Sequence, residues 1–389
     1  MEPSWVYELR AQVPVTQECV YLDSAYDCGG TTFGAAAAQR YFELWHQASS
    51  RAERGGPGRA TFFRAADEAR EMICRLVGAS DPNQVCFTKN TNEGINLAVM
   101  GFRYEKGDNI VSFRDDFPSV VGPCLNAERL LGVEVRLADT EQPGIDDIDA
   151  LMALCDEKTR LVVISHVRSA TGYTVDLQRL GGLCKERGIF LIVDATQSIG
   201  TVPIKALEWG IGAVSAAGYK CLLAGIGSAF FFMSGDLAEK VTPVFVSYND
   251  YTRINSLEGT LSLADGRDAR KLESGTIDVL EIAILKSGLE QLLAIGIDTI
   301  AAHIGGLYEK LYRGLAALGY DIVTPFDPKL RSASLAVRVH GDQKALYDHF
   351  RSEGICLSSS RHIRFGIPAF ALESDIDMAL AAAEKTDIR

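Results

Sequence analysis

Several features that would place the chain in familiar classes are missing from its sequence. It has no block of lysine and arginine, and its formal net charge is -12, which argues against binding to the phosphate backbone of nucleic acids. No apolar stretch reaches the ~18 residues needed to span a bilayer. The first residues, Met1–Trp5, lack the basic and apolar regions of a signal peptide. We therefore expect no nucleic-acid partner and no membrane partner.

Cysteine motifs and nucleotide motifs are also missing. The sequence has no C-x-x-C pair and no G-x-G-x-x-G turn after an early strand; Gly225-Ile226-Gly227 lacks the third glycine, which argues against a nicotinamide dehydrogenase. Scattered cysteines in odd number fit buried thiols in a reducing cytoplasm better than disulfides or a zinc site, so we expect a cytoplasmic protein without a metal. The nine cysteines are Cys19, Cys28, Cys74, Cys86, Cys124, Cys155, Cys184, Cys221 and Cys356.

Alternation of short apolar runs with helical stretches dominates the chain from about residue 21 to about residue 240. Strands that alternate with helices are typical of a mostly parallel sheet covered on both faces, and the expected fold class is α/β. The predicted strands are Gln84–Thr88, Asn109–Phe113, Val133–Leu137, Leu161–Ser165, Phe190–Asp194, Ala213–Ala217 and Ser228–Phe232. The predicted helices include Glu93–Phe102, Pro118–Leu131, Ile148–Cys155 and Leu177–Arg187.

The pattern changes after about residue 275. A long helical region, Val279–Leu318, precedes two predicted strands, Ser332–Val339 and Ile363–Ile367, with a helix at Lys344–Glu353 between them. This α+β character predicts a smaller C-terminal domain. The polar segment Ser247–Arg270 is too long for an ordinary connection and is predicted to be a functional loop.

A chain of 389 residues is long enough for two domains. We expect a large domain at residues 21–270 and a small domain at residues 271–389. The N-terminal segment, residues 1–20, is expected to pack with the small domain.

Lys220 ends a run, 213–223, that is otherwise almost free of charge. Burial of an unpaired lysine is costly and lowers its pKa, which leaves a neutral amine able to attack a carbonyl. The preceding predicted strand ends in Asp194. An acid and a lysine at the ends of successive strands suit pyridoxal phosphate, whose ring nitrogen needs an acid and whose aldehyde forms a Schiff base with a lysine. A surface lysine beside an ordinary strand-end aspartate is the alternative interpretation.

Other polar side chains also follow predicted strand ends, where ligands of parallel sheets bind. The turn of residues 89–92 opens a helix and could bind a phosphate, although plain helix capping is the favoured explanation from the sequence alone. Phe117 could stack on a planar ring or merely pack, and His166 could be a structural histidine at a strand end.

These residues resemble the class V aminotransferase family of fold-type I pyridoxal phosphate enzymes, which includes cysteine desulfurases, kynureninases and isopenicillin N epimerase-like proteins. The resemblance extends from Tyr21-Leu22-Asp23-Ser24-Ala25 to Arg364-Phe365-Gly366 and is most specific in Asp194-Ala195-Thr196-Gln197 and Gly218-Tyr219-Lys220. It implies a mostly parallel seven-stranded large domain, a smaller α+β domain, and a homodimer with active sites at the subunit interface.

The resemblance also implies roles for particular residues. Lys220 is the expected catalytic residue and cofactor lysine, and Arg364 is expected to bind the substrate α-carboxylate, which suits a planar bidentate donor. The expected cofactor-binding residues are Thr91 and Asn92 (phosphate), Phe117 (stacking), Asp194 (pyridinium nitrogen), Gln197 (ring hydroxyl), Tyr219 (phosphate) and Thr276 (phosphate of the neighbouring subunit).

The segment before Arg364 departs from the desulfurase pattern. Desulfurases have a mobile cysteine there, in a Gly-His-His-Cys-type loop, whereas this chain has the shorter segment 355–362. Cys356 falls at a position that reads as strand and is interpreted as a core residue. Ser169 stands near the position where desulfurases have an asparagine.

The functional prediction is a pyridoxal phosphate enzyme acting on an amino acid through an external aldimine. β-Elimination, or C–S bond cleavage of a cysteine-derived or otherwise β-substituted amino acid, is favoured because desulfurase and kynureninase kinship is combined with the missing persulfide cysteine. An aminotransferase, a decarboxylating deaminase or an epimerase of the same family would use the same core residues. A non-catalytic cofactor-fold binding protein would not need the lysine base.

Overall fold

A computed structural model describes residues 2–50, 57–140, 147–245, 252–254, 263–265 and 268–386. The helices in this part of the chain are α1 Ser4–Arg10, α2 Thr32–Ser50, α3 Pro57–Val77, α4 Thr91–Gly101, α5 Pro118–Leu131, α6 Asp147–Ala153, α7 Leu177–Glu186, α8 Gly235–Ala238, α9 Val279–Ile295, α10 Ile297–Ala317, α11 Gln343–Ser352 and α12 Glu373–Glu384. None of these helices is long and apolar enough to cross a bilayer.

The strands in the same residues fall into a large sheet, a small sheet and two short pairs. They are β1 Val20–Tyr21, β2 Val85–Thr88, β3 Asn109–Phe113, β4 Glu134–Ala138, β5 Thr159–Ser165, β6 Phe190–Asp194, β7 Ile211–Ala217, β8 Ala229–Met233, β9 Thr252–Ile254, β10 Leu263–Asp265, β11 Asp321–Ile322, β12 Ser334–Arg338, β13 Ile355–Cys356, β14 Ser358–Ser359 and β15 Ile363–Gly366.

The large sheet has seven strands in the order β2-β8-β7-β6-β5-β3-β4. Strands β7, β6, β5, β3 and β4 pair in parallel, and β8 pairs antiparallel with both β2 and β7. The mostly parallel seven-stranded sheet expected from the sequence is confirmed. The parallel strands therefore bring their carboxyl ends to one edge, where the polar residues after each strand can meet.

Helices cover both faces of this sheet, so its central strands are apolar on both sides. In β6, Leu191 and Val193 belong to one apolar core, whereas Ile192 belongs to the core on the opposite face. This alternation follows from the two-residue period of a strand. It explains why β6 reads as a continuous apolar run that ends in the acid Asp194.

The small sheet is antiparallel, with the order β11-β12-β15-β14. In this sheet Arg364 of β15 pairs with Ala336 of β12 and with Ser358 of β14. The predicted strand at Ile363–Ile367 and helix at Lys344–Glu353 match β15 and α11 to within a residue at either end.

The N-terminal segment contacts the C-terminal part of the chain. Arg10 of α1 forms a bidentate ion pair with Asp375, with nitrogen–oxygen distances of 2.7 and 3.1 Å. Strand β1 pairs in parallel with β13, which places Tyr21 opposite Cys356.

Two expectations need revision. The region Val279–Leu318 forms two helices rather than one, because Gly296 adopts a φ of 93° that residues with side chains rarely adopt. The predicted turn at residues 89–92 is shorter than expected, since α4 already begins at Thr91.

The predicted loop Ser247–Arg270 lies mostly outside the described residues. The described part of it forms the antiparallel pair β9–β10 and a short turn from residue 268.

Candidate active site

A cavity of about 280 Å³ lies at the carboxyl edge of the large sheet. Loops after β2, β3, β5, β6 and β7 all contribute to its wall, as expected for a ligand site in a parallel sheet. The lining residues are Asn90, Thr91, Asn92, Phe117, Ser119, Ser165, Val167, Ser169, Asp194, Thr196, Gln197, Ala217, Tyr219 and Lys220. The cavity brings together seven of the predicted site residues.

Lys220 lies at the floor of this cavity with only 9% of its surface exposed. Burial is the main cause that lowers the pKa of its amine, and it outweighs the opposing charge of Asp194. A lowered pKa increases the fraction of neutral amine, which is the nucleophilic form.

The turn that holds Lys220 is tight. Leu223 is the only non-glycine residue in the described ranges with a positive φ, 57°, and its N–H donates to the Lys220 carbonyl at 3.2 Å. Such a conformation costs on the order of 1–3 kcal/mol and is typical of functional sites. The backbone N–H of Cys28 also donates to the carbonyl of Tyr219, at 2.9 Å, which ties this turn to the N-terminal region.

Asp194 ends β6 and is buried, and burial raises the pKa of its carboxyl group. Its Oδ1 accepts a hydrogen bond from the N–H of Thr196 at 2.9 Å, which partly opposes that rise. No ion pair joins Asp194 to Lys220 among the side chains that the structure describes. The two groups therefore lie in one cavity without a direct ion pair, although the charge of each opposes the pKa shift of the other.

The N-terminus of the 11-residue helix α4 forms another wall. Asn90 caps this helix by accepting from the N–H of Glu93 at 2.9 Å, and Asn90, Thr91 and Asn92 all line the cavity. The predicted phosphate-binding turn is thus a helix N-terminus, where backbone N–H groups and the helix dipole favour an anion. Gly94 lets the helix approach the sheet, because a Cβ there would lie 2.5 Å from Ser215 Oγ.

Thr196 is a site residue to which the sequence analysis gave no role. Its Oγ1 lies 2.6 Å from Thr91 Oγ1 and accepts from the N–H of Ala217 at 3.3 Å. It therefore links the loops after β2, β6 and β7. In the sequence, its position two residues after Asp194 was the signal that could have identified it as a site residue.

Phe117 lies in the cavity wall and is 45% exposed. By contrast, His166 does not line the cavity. It is buried, its Nδ1 lies 2.8 Å from Ser198 Oγ, and burial lowers the pKa of its imidazole to about 3. The interpretation of His166 as a structural histidine agrees with this position, while Ser165 and Val167 on either side of it line the cavity.

Arg364 lies beside the cavity rather than in its wall. It is buried, and its Nη1 donates to the carbonyl of Ser169, a lining residue. Its Nε has no hydrogen-bond partner among the described residues. Burial lowers the pKa of its guanidinium, and the charge of Asp23 opposes that shift.

Thr276 lies elsewhere, in a separate cavity of about 250 Å³ with Lys89, Glu93 and Ser274 among its lining residues. The structure of one chain therefore does not bring Thr276 to Lys220. Among the residues that the structure describes, no group of three or more His, Cys, Asp or Glu side chains is arranged to hold a metal.

The donor set at the Lys220 cavity fits pyridoxal phosphate. A buried amine, a buried carboxylate, a helix N-terminus and an aromatic side chain match the aldehyde, the ring nitrogen, the phosphate and the ring face of that cofactor.

Comparisons with known proteins agree with this fit. The sequence profile of the family described as "Aminotransferase class-V" matches residues 20–370. A "Probable cysteine desulfurase" of Methanothermobacter thermautotrophicus is 28% identical over 366 residues, which cover 93% of this chain and 88% of that protein. "Cysteine desulfurase IscS" of Salmonella arizonae is 31% identical over 258 residues, or 64% of this chain and 57% of that protein.

Solved structures resemble the whole fold. The apo structure of a cysteine desulfurase from Thermococcus onnurineus NA1 has a TM-score of 0.86 at 19% identity and covers 97% of each chain. The cystine C–S lyase C-DES, in complex with its reaction product cysteine persulfide, has a TM-score of 0.85 at 19% identity and covers 96% of this chain and 99% of its own. The chain belongs to the class V aminotransferase family and is a pyridoxal phosphate-dependent enzyme of fold type I.

Proposed function

We propose that this protein cleaves the C–S bond of cysteine or of a cysteine-derived, β-substituted amino acid by β-elimination. Support comes from relatives named cysteine desulfurases and from a structural neighbour described as a cystine C–S lyase. The observation that favours release of the sulfur by β-elimination over its transfer to a cysteine of the protein is the position of Cys356 outside the Lys220 cavity.

We assign the cofactor contacts as follows. Lys220 would hold pyridoxal phosphate covalently, Asp194 would contact its ring nitrogen, and Gln197 its ring hydroxyl. The phosphate would lie at the N-terminus of α4. Thr91, Asn92 and Tyr219 would bind it there, and Phe117 would stack on the ring.

Pyridoxal phosphate, when bound, withdraws electron density from the substrate's α-carbon. Lys220 lies in the cavity as a buried amine of lowered pKa. We propose that it removes the proton from the α-carbon. As Lys220 Nζ accepts that proton, the electrons of the C–H bond form the Cα–Cβ double bond and the sulfur leaves Cβ with the electrons of the C–S bond.

Arg364 supplies substrate recognition. Its guanidinium is anchored to the Ser169 carbonyl at the cavity wall and its Nε has no partner among the described residues. A planar guanidinium binds a carboxylate through two parallel hydrogen bonds. We propose that Arg364 binds the α-carboxylate of the substrate, which would orient the α-carbon toward Lys220.

The fate of the sulfur depends on Cys356. This residue lies in β13, where it pairs with Tyr21 of β1, and it does not line the Lys220 cavity. Burial raises the pKa of its thiol to about 11, so that little thiolate forms at neutral pH. We propose that the sulfur leaves as a free thiol or sulfide and is not transferred to Cys356.

We also propose the arrangement of the whole protein. The chain would divide into a large domain at 21–270 and a small domain at 271–389, with residues 1–20 packed on the latter, as the Arg10–Asp375 ion pair supports. Two chains would form a homodimer in which Thr276 contacts the phosphate of the neighbouring subunit. The nine cysteines without disulfides fit a cytoplasmic location.

Product analysis of the purified holoenzyme tests the reaction. Incubation with cysteine, cystine and other β-substituted amino acids is expected to release a sulfur product, ammonia and pyruvate in equal amounts. A keto acid that retains the sulfur would identify an aminotransferase instead. A racemised amino acid or carbon dioxide would identify an epimerase or a decarboxylating deaminase.

A further inference from the structure

The loop between β3 and α5 is held by a carboxylate that has no role in the assignments above. Asp116 immediately precedes Phe117, and its Oδ1 accepts from the N–H of Phe117 at 2.6 Å. Its Oδ2 accepts from the N–H of Ser165, at the end of β5, at 2.8 Å. Both partners line the Lys220 cavity, whereas Asp116 itself does not.

Asp116 lies close to Asp194, the aspartate assigned to the ring nitrogen of the cofactor. Ser165 is the residue of β5 that pairs with Asp194 of β6. The carboxylate of Asp116 is therefore one strand away from Asp194, and the negative charge of Asp194 adds to the burial that raises the Asp116 pKa. A half-buried carboxylate near another carboxylate is unfavourable in its charged form unless N–H donors stabilise it, and Asp116 has two such donors.

The two hydrogen bonds of Asp116 join this loop to the end of β5, whereas the neighbouring Asp115 joins it to Thr140 and Arg168. Phe117 is the first residue before α5, and no side chain caps this helix. Its ring is 45% exposed, so apolar packing alone does not determine where it lies. The two bonds of Asp116 join the backbone of Phe117 to the end of β5, and both partners line the cavity.

We propose that Asp116 is a positioning residue for the cofactor ring and that it acts through Phe117. By holding the Phe117 backbone to the end of β5, its carboxylate would keep the aromatic ring in the cavity wall, where the cofactor ring would lie against it. The proposal rests on the stacking assignment of Phe117 in the proposed function, but not on the identity of the substrate.

Affinity of the apoprotein for pyridoxal phosphate, measured by equilibrium dialysis, tests this role without any turnover. Asp116→Asn keeps the shape of the side chain, but its amide presents one acceptor where two backbone N–H groups require two. We expect the dissociation constant to rise about tenfold, the usual effect of one lost buried hydrogen bond. The visible circular dichroism of the bound cofactor should also weaken, because the ring is held less firmly.

Asp115→Asn is the matched control. It removes the same charge one residue earlier, where the side chain accepts from Thr140 Oγ1 at 2.9 Å and lies 3.7 Å from Arg168. Neither contact reaches Phe117 or Ser165. We expect its dissociation constant to stay within about twofold of the wild-type value; a tenfold rise would attribute the Asp116 effect to charge alone and overturn the proposal.

A double-mutant cycle tests whether Asp116 acts on cofactor binding through Phe117. Phe117→Ala should weaken cofactor binding about tenfold through lost stacking, and Asp116→Asn should then add less than about twofold in the Phe117→Ala background. A further tenfold loss in that background would mean that Asp116 does not act through Phe117. No loss in Phe117→Ala alone would contradict the stacking assignment, whichever amino acid the enzyme cleaves.

If Asp116→Asn does not fold, as judged by far-ultraviolet circular dichroism, Asp116→Glu is measured in its place. It keeps the charge and both acceptors but displaces them by one methylene. We expect a rise in the dissociation constant of about threefold that again vanishes in the Phe117→Ala background. An unchanged dissociation constant in Asp116→Glu would overturn the proposal.

Discussion

Two buried clusters of opposite charges lie on the large sheet, and only one of them is neutralised. Arg70 and Glu273, with 3% and 5% of their side chains exposed, form an ion pair of 2.7 Å. Glu273 also accepts from the N–H of Phe87 at 3.1 Å, and the Arg70 guanidinium lies 4.7 Å from the centre of the Phe87 ring. Lys220 and Asp194 are also buried, with 9% and 8% of their surfaces exposed, but no such pair joins them among the described residues.

The difference distinguishes a structural cluster from a functional one. Complete pairing offsets the desolvation of Arg70 and Glu273, so the cluster holds α3 against the sheet. At the other cluster, burial lowers the pKa of Lys220 and raises the pKa of Asp194. Both side chains line the cavity and have no ion-pair partner among the side chains that the structure describes, so both are available to a ligand. Mutation of Lys220 or of Glu273 should therefore affect one cluster and spare the other.

Lys220→Ala should have the largest effect. We expect turnover to fall about 10³- to 10⁴-fold, because the base assigned to the proton on the α-carbon is removed. The free energy of unfolding of the apoprotein should stay within about 0.5 kcal/mol or rise, since an unneutralised buried amine is removed. Turnover assays and urea unfolding measure the two effects.

Borohydride reduction of the wild-type holoenzyme, followed by peptide mapping, should place the pyridoxyl group on Lys220. Lys271 is the matched comparison, because it is also buried but its Nζ donates to the Ala238 carbonyl at 2.6 Å. A label on Lys271 or Lys89 would refute the assignment.

Glu273→Gln should break the structural cluster. Removing one partner of a buried ion pair typically costs about 3–5 kcal/mol, and we expect that loss in the urea unfolding of the apoprotein. Glu290→Gln is the control. It breaks a partly exposed pair with Lys286, and should cost less than about 1 kcal/mol. Equal losses in both variants would show that burial does not distinguish these pairs.

Arg364→Ala should impair substrate binding and leave the cofactor in place. Losing a charge-assisted bidentate contact costs about 2–4 kcal/mol, or roughly 30- to 1,000-fold in kcat/KM. The spectrum of the bound cofactor should not change. Arg364→Lys should restore part of the activity, because an ammonium cannot match the planar guanidinium. Normal turnover by Arg364→Ala would mean that the substrate has no carboxylate at this position.

His166 should make the protein sensitive to acid. Its folded pKa of about 3 lies below the ordinary value of 6.5, so the unfolded chain binds a proton first as the pH falls. Its contribution to stability is therefore complete above pH 6.5 and is lost as the pH falls toward 3. Between pH 8 and pH 5 the loss should be about 2 kcal/mol.

Unfolding at several pH values should show that His166→Asn lacks this part of the pH dependence. The exposed His340 provides the control, and His340→Asn should behave as the wild type. The prediction is wrong if His166→Asn and the wild type lose stability in parallel.

Cys356→Ser should have the smallest effect. We expect most of the activity to remain, because Cys356 pairs with β1 and does not line the Lys220 cavity. A loss of about 10²-fold with intact folding, together with a persulfide trapped on wild-type Cys356, would identify a persulfide-forming desulfurase instead.

Much of the fold was predictable because it depends on local patterns. The apolar runs that end in Asp194 and Ala217 match β6 and β7, since a strand buried on both faces is apolar along most of its length. The break at Gly296 was missed because the apolar pattern continues across it, whereas the change of direction depends on one positive φ. Helices α2 and α3 were not predicted at all.

The site was predictable where residues follow strands directly. Lys220, Asp194, Gln197, Tyr219, Thr91, Asn92 and Phe117 all line one cavity. Thr196 and Asp116 were given no role because their importance comes from bonds to other loops, at Thr91 and at Ser165. Thr276 lies in another cavity of the chain, and its predicted role depends on a second subunit.

The sequence by itself determined the alternating pattern of strands and helices, the family, and the lysine and aspartate at two strand ends, because these depend on neighbours along the chain. Only the tertiary structure decided which charges are neutralised. Arg70 and Glu273 are 203 residues apart and meet at 2.7 Å, whereas Lys220 and Asp194 lie on adjacent loops and stay unpaired. Pairing depends on distances between side chains from distant segments, and those distances arise only when the sheet and its helices pack together.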